Sequence, residues 1–158
     1  MEKKKVKGII ISGFPGVGKS TAAGPLKDIY DCESRYYSHP IDPRTGFSKE
    51  KDPDWVTKYV DSIEQMACYC GYSTVLISTH KEVLDELHKR EIPFVICVPY
   101  NYLRNEYMKR YIRRGDCAEF IKTVFDHWEE WLDEIGSDPA PKIYLDENEN
   151  LADIIPRY

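Results

Sequence analysis

The 158-residue chain has no long apolar run, no C-x-x-C cysteine pair and no excess of positive charge. No stretch approaches the roughly 18–20 apolar residues of a transmembrane helix, so we predict no membrane partner. Lysines crowd the first seven residues, but only a short apolar run follows them, and we do not predict a signal peptide. The net charge of −5 argues against a broad nucleic-acid surface while leaving room for a local basic pocket.

The five cysteines are odd in number and scattered along the chain. Zinc-site spacing is absent, and we interpret the cysteines as reduced thiols that pack as small apolar side chains in a cytoplasmic protein. Repeats, low-complexity tracts and domain linkers are absent as well. Residues 1–158 are therefore predicted to form one domain with a substantial core.

A glycine-rich motif near the N-terminus is the most informative stretch. Residues 13–20 read GFPGVGKS and fit G-x-x-x-x-G-K-[ST], the phosphate-binding P-loop. Its glycines let the backbone aim successive N–H groups inward. We expect the Lys19 ammonium on the outer phosphates of ATP and the Ser20 hydroxyl on Mg²⁺. The residues predicted to contact the nucleotide here are Gly13, Pro15, Gly16, Val17, Gly18, Lys19, Ser20 and Thr21.

Strand and helix patterns alternate around this P-loop segment, residues 13–20. Strands are predicted over about 6–12, 34–38, 74–78, 93–98 and 142–145, and helices over about 18–29, 53–70, 79–90, 101–114, 116–136 and 151–155. This alternation predicts an α/β fold, a five-stranded parallel sheet with helices on both faces. Capping boxes are predicted at Thr79 with Glu82 and at Asp116 with Glu119. Pro25 predicts a kinked or early-ending first helix.

The stretch 39–53 contains three prolines and a glycine among charged residues and predicts a long loop. Long loops inside compact domains are usually functional or mobile. We therefore predict a flap on the substrate side of the molecule. The apolar stripe of the helix that follows is interpreted as core packing.

Several stretches resemble the P-loop nucleoside and nucleotide kinase superfamily, the branch that includes adenylate kinase and shikimate kinase. In addition to the P-loop segment, the stretches that carry this resemblance are DCES at 31–34, DPDW at 52–55, YV at 59–60, STHKEV at 78–83 and YMKRY at 107–111. The chain is most similar to small deoxynucleotide-kinase-like proteins of bacteriophages and prophages. The resemblance implies a three-layer P-loop kinase fold, an arginine-bearing lid at about 100–118 and a substrate-side region at about 31–70.

The helix predicted over 101–114 carries the cations that phosphoryl transfer needs. Arg110 and Arg114 are four residues apart, so they share one helix edge with Tyr107 and Tyr111. We predict catalytic roles for both arginines and a nucleotide contact for Arg110. We prefer Arg110, because Arg113 and Arg114 lie at the predicted C-terminus of the helix. A cation there stabilises the helix dipole whether or not it has a catalytic role. Alternatively, this face is a solvated basic surface.

The acceptor side is predicted from five residues. The resemblance implies that Asp31 activates the acceptor hydroxyl or lies in the magnesium shell; alternatively it caps a turn. Arg35 and Tyr36 are predicted to bind the acceptor, by holding an acceptor phosphate and stacking on a base; alternatively, Tyr36 and its neighbour Tyr37 are ordinary strand residues. Ser78 and His80 follow the third strand and are predicted acceptor contacts, although His80 also suits a helix start with no catalytic duty.

These features predict an ATP- and Mg²⁺-dependent phosphotransferase that acts on a small acceptor, with a nucleoside or nucleoside monophosphate as the leading candidate. The guanine motif N-K-x-D is missing, which favours adenine. One alternative is a kinase of a hydroxymethylated pyrimidine in phage DNA, which the net charge disfavours. Another is a nucleotide-binding module without turnover, which the missing aspartate after 74–78 keeps open. The oligomeric state does not follow from the sequence.

Overall fold

The structure is a computed structural model that describes residues 8–23, 28–39, 41–42, 46–47 and 51–155, without the side chains of Ser20, 41–42 and 46–47. The strands in these residues are β1 Ile9–Gly13, β2 Ile29–Asp31, β3 Ile41–Asp42, β4 Gly46–Phe47, β5 Thr74–Ile77, β6 Val95–Pro99 and β7 Lys142–Leu145. The helices are α1 Lys19–Ala22, α2 Arg35–Ser38, α3 Trp55–Cys68, α4 Lys81–Lys89, α5 Arg104–Arg113, α6 Ala118–Gly136 and α7 Leu151–Ile154. A 3₁₀ turn, Asn101–Leu103, precedes α5.

Five of the strands form one parallel sheet in the order β2-β5-β1-β6-β7. The predicted three-layer α/β fold is confirmed. Right-handed crossovers between these strands place α1 on one face of the sheet and α3, α4 and α6 on the other, and α7, which follows the last strand, packs on α1. In agreement, α3 packs against α4. The chain reverses its direction of travel at β1, so the carboxyl end of β1 is where a ligand is expected.

The second strand and the first helix differ from the sequence-based expectation. A strand was expected at 34–38, but β2 lies earlier and α2 occupies that stretch. The reason is that α1 ends at Ala22, and Ala23 is already extended at φ −77° and ψ 152°. The chain therefore returns to the sheet sooner than a helix to residue 29 would allow. The early end of the first helix is confirmed, although Pro25 itself lies outside the described residues.

Neither predicted capping box forms. The N-cap residues of α4 and α6 are His80 and Cys117, and neither side chain caps its helix. Thr79 and Asp116 each lie one residue too early for that role. A capping box does form at the start of α7, where the Asn150 side chain accepts a hydrogen bond from the backbone of the first turn.

Helix α3 buries the apolar stripe that the sequence predicted as core. Trp55, Tyr59, Val60, Ile63 and Ala67 are all buried. Just before it, the predicted flap contains an antiparallel pair, β3 with β4. Much of the flap lies outside the described residues, so its role stays a prediction. Among the residues that the structure describes, no helix has the length and apolar character that a bilayer crossing requires.

Candidate functional site

The P-loop segment turns tightly through two glycines. Gly16 and Gly18 have φ values of +93° and +96°, which L-residues with side chains rarely adopt. A Cβ added to Gly13 would lie 2.9 Å from Cγ2 of Val17, so the start of the loop also has no room for a side chain. The glycine spacing of the motif is thus a requirement of this backbone.

Helix α5 braces the P-loop segment from outside. A Cβ on Gly16 would lie 2.8 Å from Cε1 of Tyr111 and 3.1 Å from Cδ2 of Tyr107. Both tyrosines are fully buried. The Tyr111 hydroxyl donates to the carbonyl of Pro15 at 2.6 Å, and Nη1 of Arg110 donates to the carbonyl of Gly16 at 3.1 Å. These contacts fix the carbonyl side of the loop.

The C-terminal part of the chain adds a second support. The backbone N–H of Leu151 donates to the carbonyl of Val17 at 2.8 Å. Nη2 of Arg110 also reaches past the loop to the carbonyls of Glu147, at 2.8 Å, and Glu149, at 3.4 Å. Arg110 therefore ties the P-loop segment to the turn after β7.

The Lys19 ammonium lies folded across the loop and donates to the carbonyl of Gly13 at 2.8 Å. Burial lowers the pKa of Lys19, and the charges of Asp31 and Glu33 partly offset this effect. The cationic Arg114 lowers the Lys19 pKa further. Two residues that the sequence analysis proposed, Asp31 and Arg114, are thus close enough to Lys19 to act on its charge.

Loop geometry suits an anion on the inner side of the segment. Within the described residues, the backbone N–H groups of Gly16, Gly18 and Lys19 have no hydrogen-bond acceptor. Unbonded amides in a tight glycine-rich turn are the groups that bind phosphate oxygens in backbone nests. Helix α1 adds less dipole than the sequence suggested, because it has only four residues. The side chain of Ser20, the predicted magnesium ligand, lies outside the described residues.

Asp31 ends β2 beside Lys19 and is half-buried. Burial raises the pKa of Asp31, and the nearby Lys19 ammonium opposes that rise. A carboxylate in this setting can accept a proton more readily than one in water. No group of three or more His, Cys, Asp or Glu side chains in the described part of the chain could hold a metal ion by itself.

Tyr59 belongs to a stretch that carries the family resemblance, but the hydrogen bonds of its hydroxyl were not predicted. Its hydroxyl donates to the carbonyl of Cys32 at 2.5 Å and accepts from the backbone N–H of Ser78 at 3.1 Å. The hydroxyl of Ser12 then donates to the Ser78 carbonyl at 2.8 Å. These bonds join the carboxyl ends of β1, β2 and β5. In the sequence Tyr59 is one more member of an apolar stripe, so nothing marks its hydroxyl.

A cavity of about 410 Å³ opens beside the P-loop segment. Lys19, residues 78–82 and four side chains of α6 contribute to its walls. Nδ1 of His80 lies 2.9 Å from the Ser78 hydroxyl, and burial lowers the pKa of His80, which favours the neutral imidazole. Another cleft, of about 440 Å³, lies among the amino ends of β1 and β6 and contains no predicted site residue.

The remaining predicted residues lie outside this cavity. Arg35 and Tyr36 are exposed on α2, and Tyr36 is 54% accessible. Asp31 does not line the cavity although its charge reaches Lys19. Arg114 stacks over the Tyr111 ring at 5.0 Å, and its Nε donates to the carboxylate of Asp116. The structure thus joins Lys19, Ser78 and His80 in one cavity and leaves the α2 residues apart.

No family model matches the chain, and no curated protein matches it. Among solved structures, the Deinococcus radiodurans tunicamycin resistance protein is similar, with a TM-score of 0.59 and 16% sequence identity. The match covers 97% of this chain and 93% of that chain. At this identity the likeness concerns the fold alone. The chain therefore shares a whole-domain three-layer α/β fold with that protein.

Proposed function

We propose that the protein is an ATP- and Mg²⁺-dependent kinase of the P-loop nucleoside and nucleotide kinase superfamily, with a small hydroxyl compound as phosphate acceptor. One observation carries the proposal. Lys19 lines the 410 Å³ cavity that also contains Ser78 and His80, and the unbonded amides of Gly16 and Gly18 belong to the same loop as Lys19. A polyphosphate grip beside a space for a second molecule is what phosphoryl transfer requires.

On the donor side, the loop amides and Lys19 would hold the β- and γ-phosphates of ATP. Arg114 is better placed than Arg110 to neutralise the transferring phosphoryl group. The guanidinium of Arg110 already donates to three backbone carbonyls, whereas that of Arg114 is itself exposed, has one carboxylate partner and lies near Lys19. Bound magnesium would supply further positive charge to the phosphates, and the Ser20 hydroxyl is its candidate ligand by its place in the motif.

On the acceptor side, the hydroxyl oxygen attacks the γ-phosphorus, the bond to the β-phosphate oxygen breaks, and the hydroxyl proton passes to a base. Asp31 is the proposed base, since burial raises its pKa and its charge reaches Lys19; because it does not line the cavity, it would act on an acceptor hydroxyl that lies close to Lys19. Ser78 and the neutral His80 line the cavity and would orient the acceptor through hydrogen bonds. Asp31→Asn should then lower kcat, whereas His80→Asn should mainly raise the acceptor KM.

The test is transfer of label from γ-labelled ATP, with Mg²⁺, to nucleosides, nucleoside monophosphates and DNA with a hydroxymethylated pyrimidine. Lys19→Ala should abolish transfer while the protein still folds, because the ammonium acts on the phosphates through its charge and makes only one hydrogen bond within the protein. Lys89→Ala, an exposed lysine on α4, is the matched control and should keep full activity. Undiminished turnover by Lys19→Ala would remove the kinase proposal. Label on the polymer, or ATP binding without transfer, would favour one of the alternative functions.

We also place the enzyme in the cytoplasm. Support comes from the cysteines, all five of which are free thiols. Reduced thiols, two of them exposed at Cys70 and Cys117, suit a reducing compartment.

A further inference from the structure

The walls of the 410 Å³ cavity differ in chemistry. Helix α6 contributes two aromatic rings, Phe120 and Trp131, on one side. The Trp131 ring stacks on His127 with a centroid distance of 5.3 Å and an interplanar angle of 20°, which fixes its plane. The other lining residues come from the P-loop segment, which adds Phe14 and Pro15, and from the polar stretch 78–82. Such a cavity suits a ligand with a flat or ring-shaped apolar face and polar substituents along one edge.

Carboxylates dominate the charge that is left for an acceptor. Glu82 from α4 and Glu134 from α6 line the cavity, and neither forms an ion pair or side-chain hydrogen bond with another described residue. Lys81 also lines it, but its ammonium is paired with Asp85 at 2.9 Å and also feels the charge of Glu134. Lys19 is committed to the donor phosphates in the proposed function. Among the described lining residues there is no arginine.

This charge pattern discriminates between acceptor classes. A phosphate group on the acceptor needs arginine or lysine donors and would face the like charges of Glu82 and Glu134. Hydroxyl and amine groups would instead donate hydrogen bonds to these carboxylates. The walls therefore repel an anionic acceptor and favour a neutral or cationic one.

We propose that the acceptor is a ring-bearing alcohol without a phosphate or carboxylate of its own, neutral or cationic, with its ring against Phe120 and Trp131. A nucleoside or an amino sugar belongs to this class, and a nucleoside monophosphate does not. The proposal rests on the proposed kinase function and narrows its acceptor.

The experiment compares matched acceptors with the full chain, ATP and Mg²⁺. A nucleoside and its 5′-monophosphate form one pair, and an amino sugar and its phosphate form another. We expect kcat/KM at least about 100-fold higher for the unphosphorylated member of a pair. Glu134→Gln should raise the KM for that acceptor about tenfold with little change in the KM for ATP. Glu130→Gln, on the same helix outside the cavity, is the control and should change neither value.

A charge reversal gives a second readout. Glu134→Lys should shrink the preference for the unphosphorylated acceptor by at least tenfold, because it places a cation where the acceptor phosphate would lie. Equal or better use of the phosphorylated acceptor by the wild-type protein would overturn the inference and leave the kinase proposal standing. Absence of both ATP binding and transfer to every acceptor would overturn the kinase proposal, and the inference with it.

Discussion

Gly16→Ala tests whether α5 really braces the phosphate-binding loop. The new methyl group would lie 2.8 Å from Cε1 of Tyr111 and 3.1 Å from Cδ2 of Tyr107, closer than carbon atoms normally approach. The Tyr111 ring cannot move freely, since it is fully buried and its hydroxyl holds the Pro15 carbonyl. The substitution therefore combines a steric clash with a backbone conformation that favours glycine.

The two costs can be separated. A side chain at φ +93° costs about 1–2 kcal/mol of conformational strain. Forcing an extra methyl group against packed rings costs about 1–3 kcal/mol more. We expect Gly16→Ala to lower the free energy of unfolding by about 2–5 kcal/mol. Gly71 and Gly115 have φ values of +81° and +83°, with nothing described within 4 Å of an added Cβ, so alanine there should cost only about 1–2 kcal/mol.

Urea unfolding of the three alanine variants, followed by tryptophan fluorescence, measures the difference. The clash predicts that Gly16→Ala is less stable than either control by about 1–3 kcal/mol. ATP titration of the folded variant should also show weaker binding, because the loop cannot keep its shape. If all three variants lose the same stability, α5 does not press on the loop and the proposed bracing is wrong.

Three further outcomes follow from the site. Tyr59→Phe should lower the free energy of unfolding by about 2–4 kcal/mol, because the N–H of Ser78 and the carbonyl of Cys32 lose their hydrogen-bond partner. Urea unfolding measures this loss, and a value under about 1 kcal/mol would contradict the prediction. Arg110→Ala should raise the KM for ATP about tenfold and change kcat less, because the guanidinium positions the loop. If steady-state kinetics show a change in kcat alone, Arg110 acts directly in catalysis. Burial lowers the pKa of His80 below its usual value of about 6.5, so the unfolded chain binds that proton first and stability falls as the pH drops below about 6.5. His80→Asn should reduce this acid slope between pH 7 and pH 5, and an unchanged slope would exclude His80 as its source.

Periodicity and turn chemistry predicted much of the fold. The apolar runs at β1, β5, β6 and β7 and the stripe of α3 lie where the sequence placed them, because burial on a sheet or helix face leaves a local pattern. The predicted bounds were wrong where the position of one element depends on where the preceding element ends. The first helix was extended to residue 29, and that error displaced β2. The two predicted capping boxes are wrong by one residue, because each helix begins at the second of two adjacent positions that could start it.

The candidate site was predictable only in its local part. The P-loop segment is a run of consecutive residues and could be found by its motif. Contacts between distant residues leave no such pattern: the Tyr111 bond to Pro15 and the Tyr59 bond to Ser78 join residues that are far apart in the sequence. The role of Arg110 was assigned from helix position, but its three carbonyl partners come from two other parts of the chain. Glu82 and Glu134 share a cavity only because α4 and α6 lie on the same side of the sheet.

The hydrogen bond from Leu151 to Val17 has a consequence for a cleaved molecule. This bond and the packing of α7 on α1 join two segments that are far apart in the sequence. A protease cut between β7 and α7 would leave the P-loop segment without this support. If the proposed function holds, the nicked protein should bind nucleotide more weakly although its glycine motif is intact.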